Sequence, residues 1–168
     1  WAPKKQIDVH VVHSSHHDLG YTNLPSEIET LQYRNLAEAV EFAHATRAKP
    51  VAERFRITIE QAWSLSSFLE RATTSERDRM IALLQEGQFE LTAMFGNMTT
   101  ELLGAESLMR SLLPSARLAA RFKFAVTTAE HNDIPGLSWG LAEALSHAGI
   151  ELFCPSIPGY YGWSHFQM

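Results

Sequence analysis

The sequence has 168 residues, 45% of them hydrophobic and 20% charged, which suits one folded domain burying roughly 70% of the surface its unfolded chain exposes and excludes a disordered or peptide-sized chain. Its 14 Lys and Arg against 19 Asp and Glu leave a formal charge of −5, so no electrostatic footprint for a nucleic-acid backbone exists. Apolar runs of a few residues fall far short of the roughly 18 to 20 that a transmembrane helix needs, and the opening residues from Trp1 to Gln6 lack an apolar signal-peptide segment, so a soluble chain without a membrane partner is expected and its compartment stays open.

In chain order, Ile7 to His13 alternates apolar and polar residues with β-branched enrichment and reads as a strand. After the loop Ser14 to Asn23, a Ser26/Glu29 capping box and apolar residues at Ile28, Leu31, Leu36, Val40 and Ala43 predict a helix ending near Arg47. Phe55 to Ile59 is a second short strand. Trp63, Leu65, Phe68 and Leu69 give Ala62 to Glu70 a helical pattern, and a further helix runs from Ser75 through Leu84 to a stop at Gly87. Phe89 to Phe95 is the third strand, followed by helices at about Thr100 to Met109 and Pro114 to Ala120. Phe122 to Val126 is the fourth strand, and His131-Asn132-Asp133 a polar turn. A helix from about Leu137 to Ala148, closed by Gly149, leads to a fifth strand at Ile150 to Phe153. Strands alternating with helices predict an α/β fold of parallel βα units, with no repeat or linker dividing the chain. The start at Trp1 and the end at Met168 without a stop signal predict one piece of a longer protein.

In parallel α/β folds, chemistry sits at the carboxyl ends of the strands. The polar loops after the first strand (His13 to Asp18) and the fourth (Thr127 to Asp133) should therefore open on one face. Four of the eight histidines lie between positions 10 and 17. In extended backbone, residues i and i+2 share a side, so His16 and Asp18 can reach one cation while His17 points away. Imidazole nitrogen with carboxylate oxygen suits zinc and accepts manganese or cobalt. A third ligand must come from another loop, and Asp133 is the nearest in kind; a solvated polar cluster is the alternative reading. Gly20 permits a turn with positive φ, and Tyr21 offers a platform for a sugar ring or a packed side chain.

The run Val11 to Tyr21, with His16-His17-Asp18-Leu19-Gly20-Tyr21, resembles the first-strand signature of glycoside hydrolase family 38, the α-mannosidases. Asp133-Ile134-Pro135-Gly136-Leu137-Ser138 resembles that family's second signature. The resemblance implies that His16, Asp18 and Asp133 bind zinc, that Asp133 is also the catalytic nucleophile, and that Tyr21 stands where an aromatic ring meets the sugar. It further implies part of a seven-stranded (β/α) barrel-like domain, of which residues 1–168 are the N-terminal portion. A downstream histidine ligand and an acid/base carboxylate would then belong to the missing C-terminal part of the same polypeptide. The proline displaced by one place, Leu137 for histidine, Tyr21 for tryptophan and His17 for asparagine mark a divergent branch.

Other residues have two readings. Glu60 and Trp63 follow the second strand and can line the same face, Trp63 as a second sugar contact, although packing at a helix N-terminus is the heavier reading for both. His10 reads as a core histidine. Glu130 and His131 stand near enough to Asp133 to tune it by hydrogen bonding, the alternative being a loop carboxylate that is simply solvated, and Glu60 and Glu130 are weak acid/base candidates. Asn97-Met98-Thr99 is a glycosylation acceptor only in a secretory compartment. Cys154, the single cysteine, excludes an internal disulfide and reads as a small buried hydrophobe. The expected function is a metal-dependent retaining glycosidase acting on α-linked sugars, the alternatives being a metal-dependent carbohydrate deacetylase and a catalytically silent carbohydrate-binding module.

Overall fold

The structure, a computed structural model, describes residues 11–156. His10 and most of the first expected strand lie outside them. Among the described residues five strands alternate with helices: β1 (His13–Ser14), α1 (Pro25–Ala45), β2 (Ile57–Ile59), α2 (Ala62–Arg71), α3 (Thr74–Gln85), β3 (Phe89–Leu91), α4 (Ala105–Arg110), α5 (Leu113–Phe122), β4 (Thr128–Asn132), α6 (Trp139–His147) and β5 (Leu152–Ser156). β1, β2 and β3 pair in that order, all parallel, and β4 pairs parallel with β5. A backbone bond from Ala93 N to Thr128 O at 2.9 Å joins the two sheets. The expectation of parallel βα units is met.

Strand alternation sorts the side chains between two faces. Ile57, Ile59, Phe89 and Leu91 are buried in one cluster with Leu36, Val40 and Ala43 of α1, Leu65 and Phe68 of α2, and Met80 and Leu84 of α3. A second cluster gathers Ala93, Met94, Leu108, Leu112, Ala129, Leu141 and Leu145. The opposite face is mixed: Ser14, Thr58, Glu90, Thr128 and Glu130 line a groove there together with Val12 and Leu152. In it Thr128 Oγ1 donates to Glu90 Oε1 at 2.6 Å and Thr58 Oγ1 to Glu90 Oε2 at 3.3 Å.

The helix starts follow from local chemistry. Thr73 caps α3 by accepting from Glu76 N, and Glu76 Oε2 accepts in return from Thr73 N at 2.8 Å, which satisfies two otherwise orphaned donors. For α1 the expected Ser26/Glu29 box is displaced: Pro25 opens the helix with its preset φ, and Glu27 reaches back to Leu24 N at 3.3 Å. The first N–H groups of α2 are satisfied by tertiary contact, Ala62 N donating to Met94 O and Trp63 N to Phe95 O. This bolts the exit of β2 to the exit of β3.

Four expectations about strands and burial need correction. The fourth strand is not Phe122 to Val126. Phe122 ends α5, Lys123 adopts a left-handed cap at φ 58, and Phe122, Phe124 and Val126 pack against the cores from helix end and loop. His131 and Asn132, expected in a turn, lie in β4. The third strand is three residues long instead of seven, because Thr92 N still bonds Ile59 O while Ala93 N turns to Thr128 O. Cys154 is exposed on β5, where it lines the open groove with Glu130 and Thr128.

Candidate active site

The strand register brings the first two loops together. His13 is level with Ile57 and Ser14 with Thr58, so two residues further on His16 stands beside Glu60. His16 Nδ1 lies 2.9 and 3.1 Å from the two Glu60 carboxylate oxygens. A carboxylate only accepts, so Nδ1 carries the proton and Nε2 is turned the other way. The Glu60 hydrogen bond holds the His16 pKa above its ordinary value against the opposing effect of burial. His17 lines the same cleft, and Gln32 of α1 donates to His17 Nδ1 at 2.7 Å. Burial there lowers the His17 pKa.

His16 Nε2 faces two further carboxylates, Asp18 Oδ1 at 3.6 Å and Asp133 Oδ2 at 3.9 Å. One ligand atom from each of the three residues lies within 4.8 Å of the others. Ligands about 2.0 to 2.2 Å from a tetrahedral zinc stand roughly 3.3 to 3.6 Å apart, so the three groups need only a small closure to share one cation. An imidazole nitrogen and two carboxylates make a donor set that fits a divalent metal.

Asp133 follows β4 with φ 61, a left-handed conformation uncommon outside glycine and tolerated best by Asn and Asp. Its N–H donates to Ser156 O at 2.8 Å, which fixes the bend. Beyond it Gly136, at φ +87, passes so close to the Thr99 segment that a Cβ would meet Thr99 Cγ2 at 2.8 Å. Gly136 O accepts from both Thr100 N and Thr100 Oγ1, and Ser138 N donates to Thr100 Oγ1 at 2.9 Å. The loop carrying Asp133 is thereby latched to the segment after β3.

These residues open into a cleft of about 410 Å³ whose walls include His16, Asp18, Tyr21, Trp63, Asn97 and Asp133. Tyr21 is 89% exposed at the rim and Trp63 only 7% exposed at the wall, its indole N–H bonded to the Gln61 side chain. Both aromatic residues expected near a sugar are thus in the cleft, and Trp63 also has the expected packing place in the first turn of α2.

One expectation about neighbouring groups is not met. Glu130 accepts from Asn132 Nδ2 at 2.7 Å and the His131 Nε2–H meets Met98 O at 2.8 Å, so among the described residues neither hydrogen-bonds Asp133. Burial raises the Glu130 pKa and lowers that of His131. Asn97, the first residue of the sequon, donates through Nδ2 to Glu60 Oε1 at 2.8 Å and accepts through Oδ1 from Asn132 N at 3.2 Å. The role of Glu60 as partner of His16, and that of Asn97, escaped sequence reasoning; for Glu60, position directly after β2 was the available signal.

Residues 6–168 match the family model described as Glycosyl hydrolases family 38 N-terminal domain, and the chain belongs to that family. In fold it is similar to the crystal structure of an alpha-mannosidase from Enterococcus faecalis V583, with a TM-score of 0.69 and 16% identity over 86% of this chain. The chain spans 16% of the length of that structure. No curated protein matches it.

Proposed function

We propose that this member of glycosyl hydrolases family 38 supplies the cation-binding and nucleophile-bearing part of a retaining glycosidase, α-mannosidase-like, that hydrolyses α-linked sugars. The observation that carries the reading is the meeting of His16, Asp18 and Asp133 at the carboxyl ends of parallel strands, in a cleft walled by Tyr21 and Trp63. His16, Asp18 and Asp133 would hold zinc, or manganese or cobalt, which when bound grips adjacent sugar hydroxyls and stabilises developing charge. The parallel strands accord with the N-terminal portion of a seven-stranded barrel-like domain, completed by the C-terminal part of the same polypeptide.

Tyr21 and Trp63 offer ring faces and edges to the apolar side of a sugar, which orients it over Asp133. The Asp133 carboxylate attacks the anomeric carbon, the glycosidic C–O bond breaks, and a glycosyl-enzyme ester forms. A second carboxyl group protonates the leaving oxygen and later removes a proton from the water that releases the sugar. That acid/base and a further ligand are expected from the rest of the polypeptide.

Trapping with an activated fluorosugar in the full chain tests this. Covalent mass on Asp133, and loss of turnover in Asp133→Asn, are the expected results. Deacetylation of an acetylated sugar without covalent mass moves the reading to a carbohydrate deacetylase. Sugar binding without any turnover makes the domain a silent binding module.

A further inference from the structure

We propose that Glu60 and Asn97 form a positioning unit that presets the cation site, an inference that rests on the metal reading above. Glu60 is 2% exposed and held from two directions. Its backbone carbonyl accepts from Thr92 Oγ1 at 2.6 Å, and its Oε1 accepts from Asn97 Nδ2 at 2.8 Å. Both carboxylate oxygens close on His16 Nδ1. An imidazole has two nitrogens and two neutral tautomers; fixing the proton on Nδ1 leaves the Nε2 lone pair directed at the space shared by Asp18 and Asp133.

Asn97 extends the unit to the other wall. Its Oδ1 accepts from Asn132 N at 3.2 Å, the backbone group next to Asp133. One side chain therefore ties the partner of His16 to the strand end that carries Asp133. The separation of His16 Nε2 from Asp133 Oδ2, 3.9 Å, is in this way set by protein contacts before any cation arrives. Glu60 and Asn97 are positioning residues, since both act through His16 and Asp133.

Zinc affinity by chelator competition, and the visible spectrum of the cobalt-loaded protein, test the unit in the full chain. Wild type is compared with Glu60→Gln, which keeps the volume and removes the charge, and with Asn97→Ala. The expected result for Glu60→Gln is a roughly tenfold to hundredfold weaker affinity and a shifted cobalt band, with the melting temperature of the metal-free protein retained. Asn97→Ala should shift the same band, and this variant decides the matter if Glu60→Gln fails to fold. A wild type that binds zinc and variants that bind it equally well, with unchanged cobalt bands, overturn the positioning role alone. A wild type that takes up neither metal overturns the metal reading and this inference together.

Discussion

Glu60 Oε1 lies 2.9 Å from His16 Nδ1 across 44 residues of chain. The contact joins a carboxylate at the end of β2 to a histidine at the exit of β1, and Glu60 is nearly sealed from water whereas His16 keeps one edge on the cleft. A buried carboxylate is tolerated when paired and is costly when its partner is removed.

His16→Ala should therefore destabilise the protein through the charge it abandons as well as through lost contacts. The double variant His16→Ala/Glu60→Gln should recover part of that loss, because the amide carries no charge and still accepts from Asn97. Thermal melts of the two variants at neutral pH check this. A double variant no more stable than the single one rejects the pairing.

The backbone at Asp133 separates conformation from chemistry. Asn shares the tolerance of Asp for φ near +60°, so Asp133→Asn should melt close to wild type although it removes the carboxylate. Asp133→Val places a β-branched residue at φ 61 and should cost about 1 to 3 kcal/mol in stability. Denaturant titration of both variants distinguishes strain from charge.

Gly136→Ala should be harmful for two independent reasons, its φ of +87 and the 2.8 Å approach of the new Cβ to Thr99 Cγ2. A loss of more than about 1 kcal/mol is expected where a positive φ is denied to the new side chain. The Thr100 latch on Gly136 would loosen with it, so proteolysis should begin within residues 133–138. A variant as stable and as protease-resistant as wild type counts against the latch.

Glu130 gives a pH signature. Burial is the main cause of its raised pKa, helped by Glu60 and Glu90, while Asn132 opposes the shift. A carboxyl whose folded pKa lies above its unfolded value adds nothing below the unfolded pKa and a growing penalty as pH rises through the folded one. Glu130→Gln should thus raise the melting temperature at pH 7, and the gain should vanish as pH falls below the ordinary carboxylate range. Equal melting curves at both pH values contradict the assignment.

Much of this arrangement was legible in the sequence. Residues two apart in extended backbone share a side, which sends His16 and Asp18 together, whereas His17, expected to point away, bonds Gln32 and still lines the cleft. The apolar stripe of α1 and the patterns of α2 and α3 locate the first core, and the Asp133 loop carries its own signature. The fourth strand was not legible: Phe122 to Val126 alternates like a strand, yet Lys123 caps a helix and the more polar Thr128 to Asn132 is the segment that finds a partner in Leu152 to Ser156. Hydrogen-bond partners supplied by a distant segment override local pattern. The place of Glu60 depended on tertiary structure in the same way. A carboxylate after a strand looks alike in sequence whether solvated or paired. Only the register of β1 on β2, which sets His13 against Ile57, carries His16 to Glu60, because parallel pairing fixes which residues emerge side by side where two strands end.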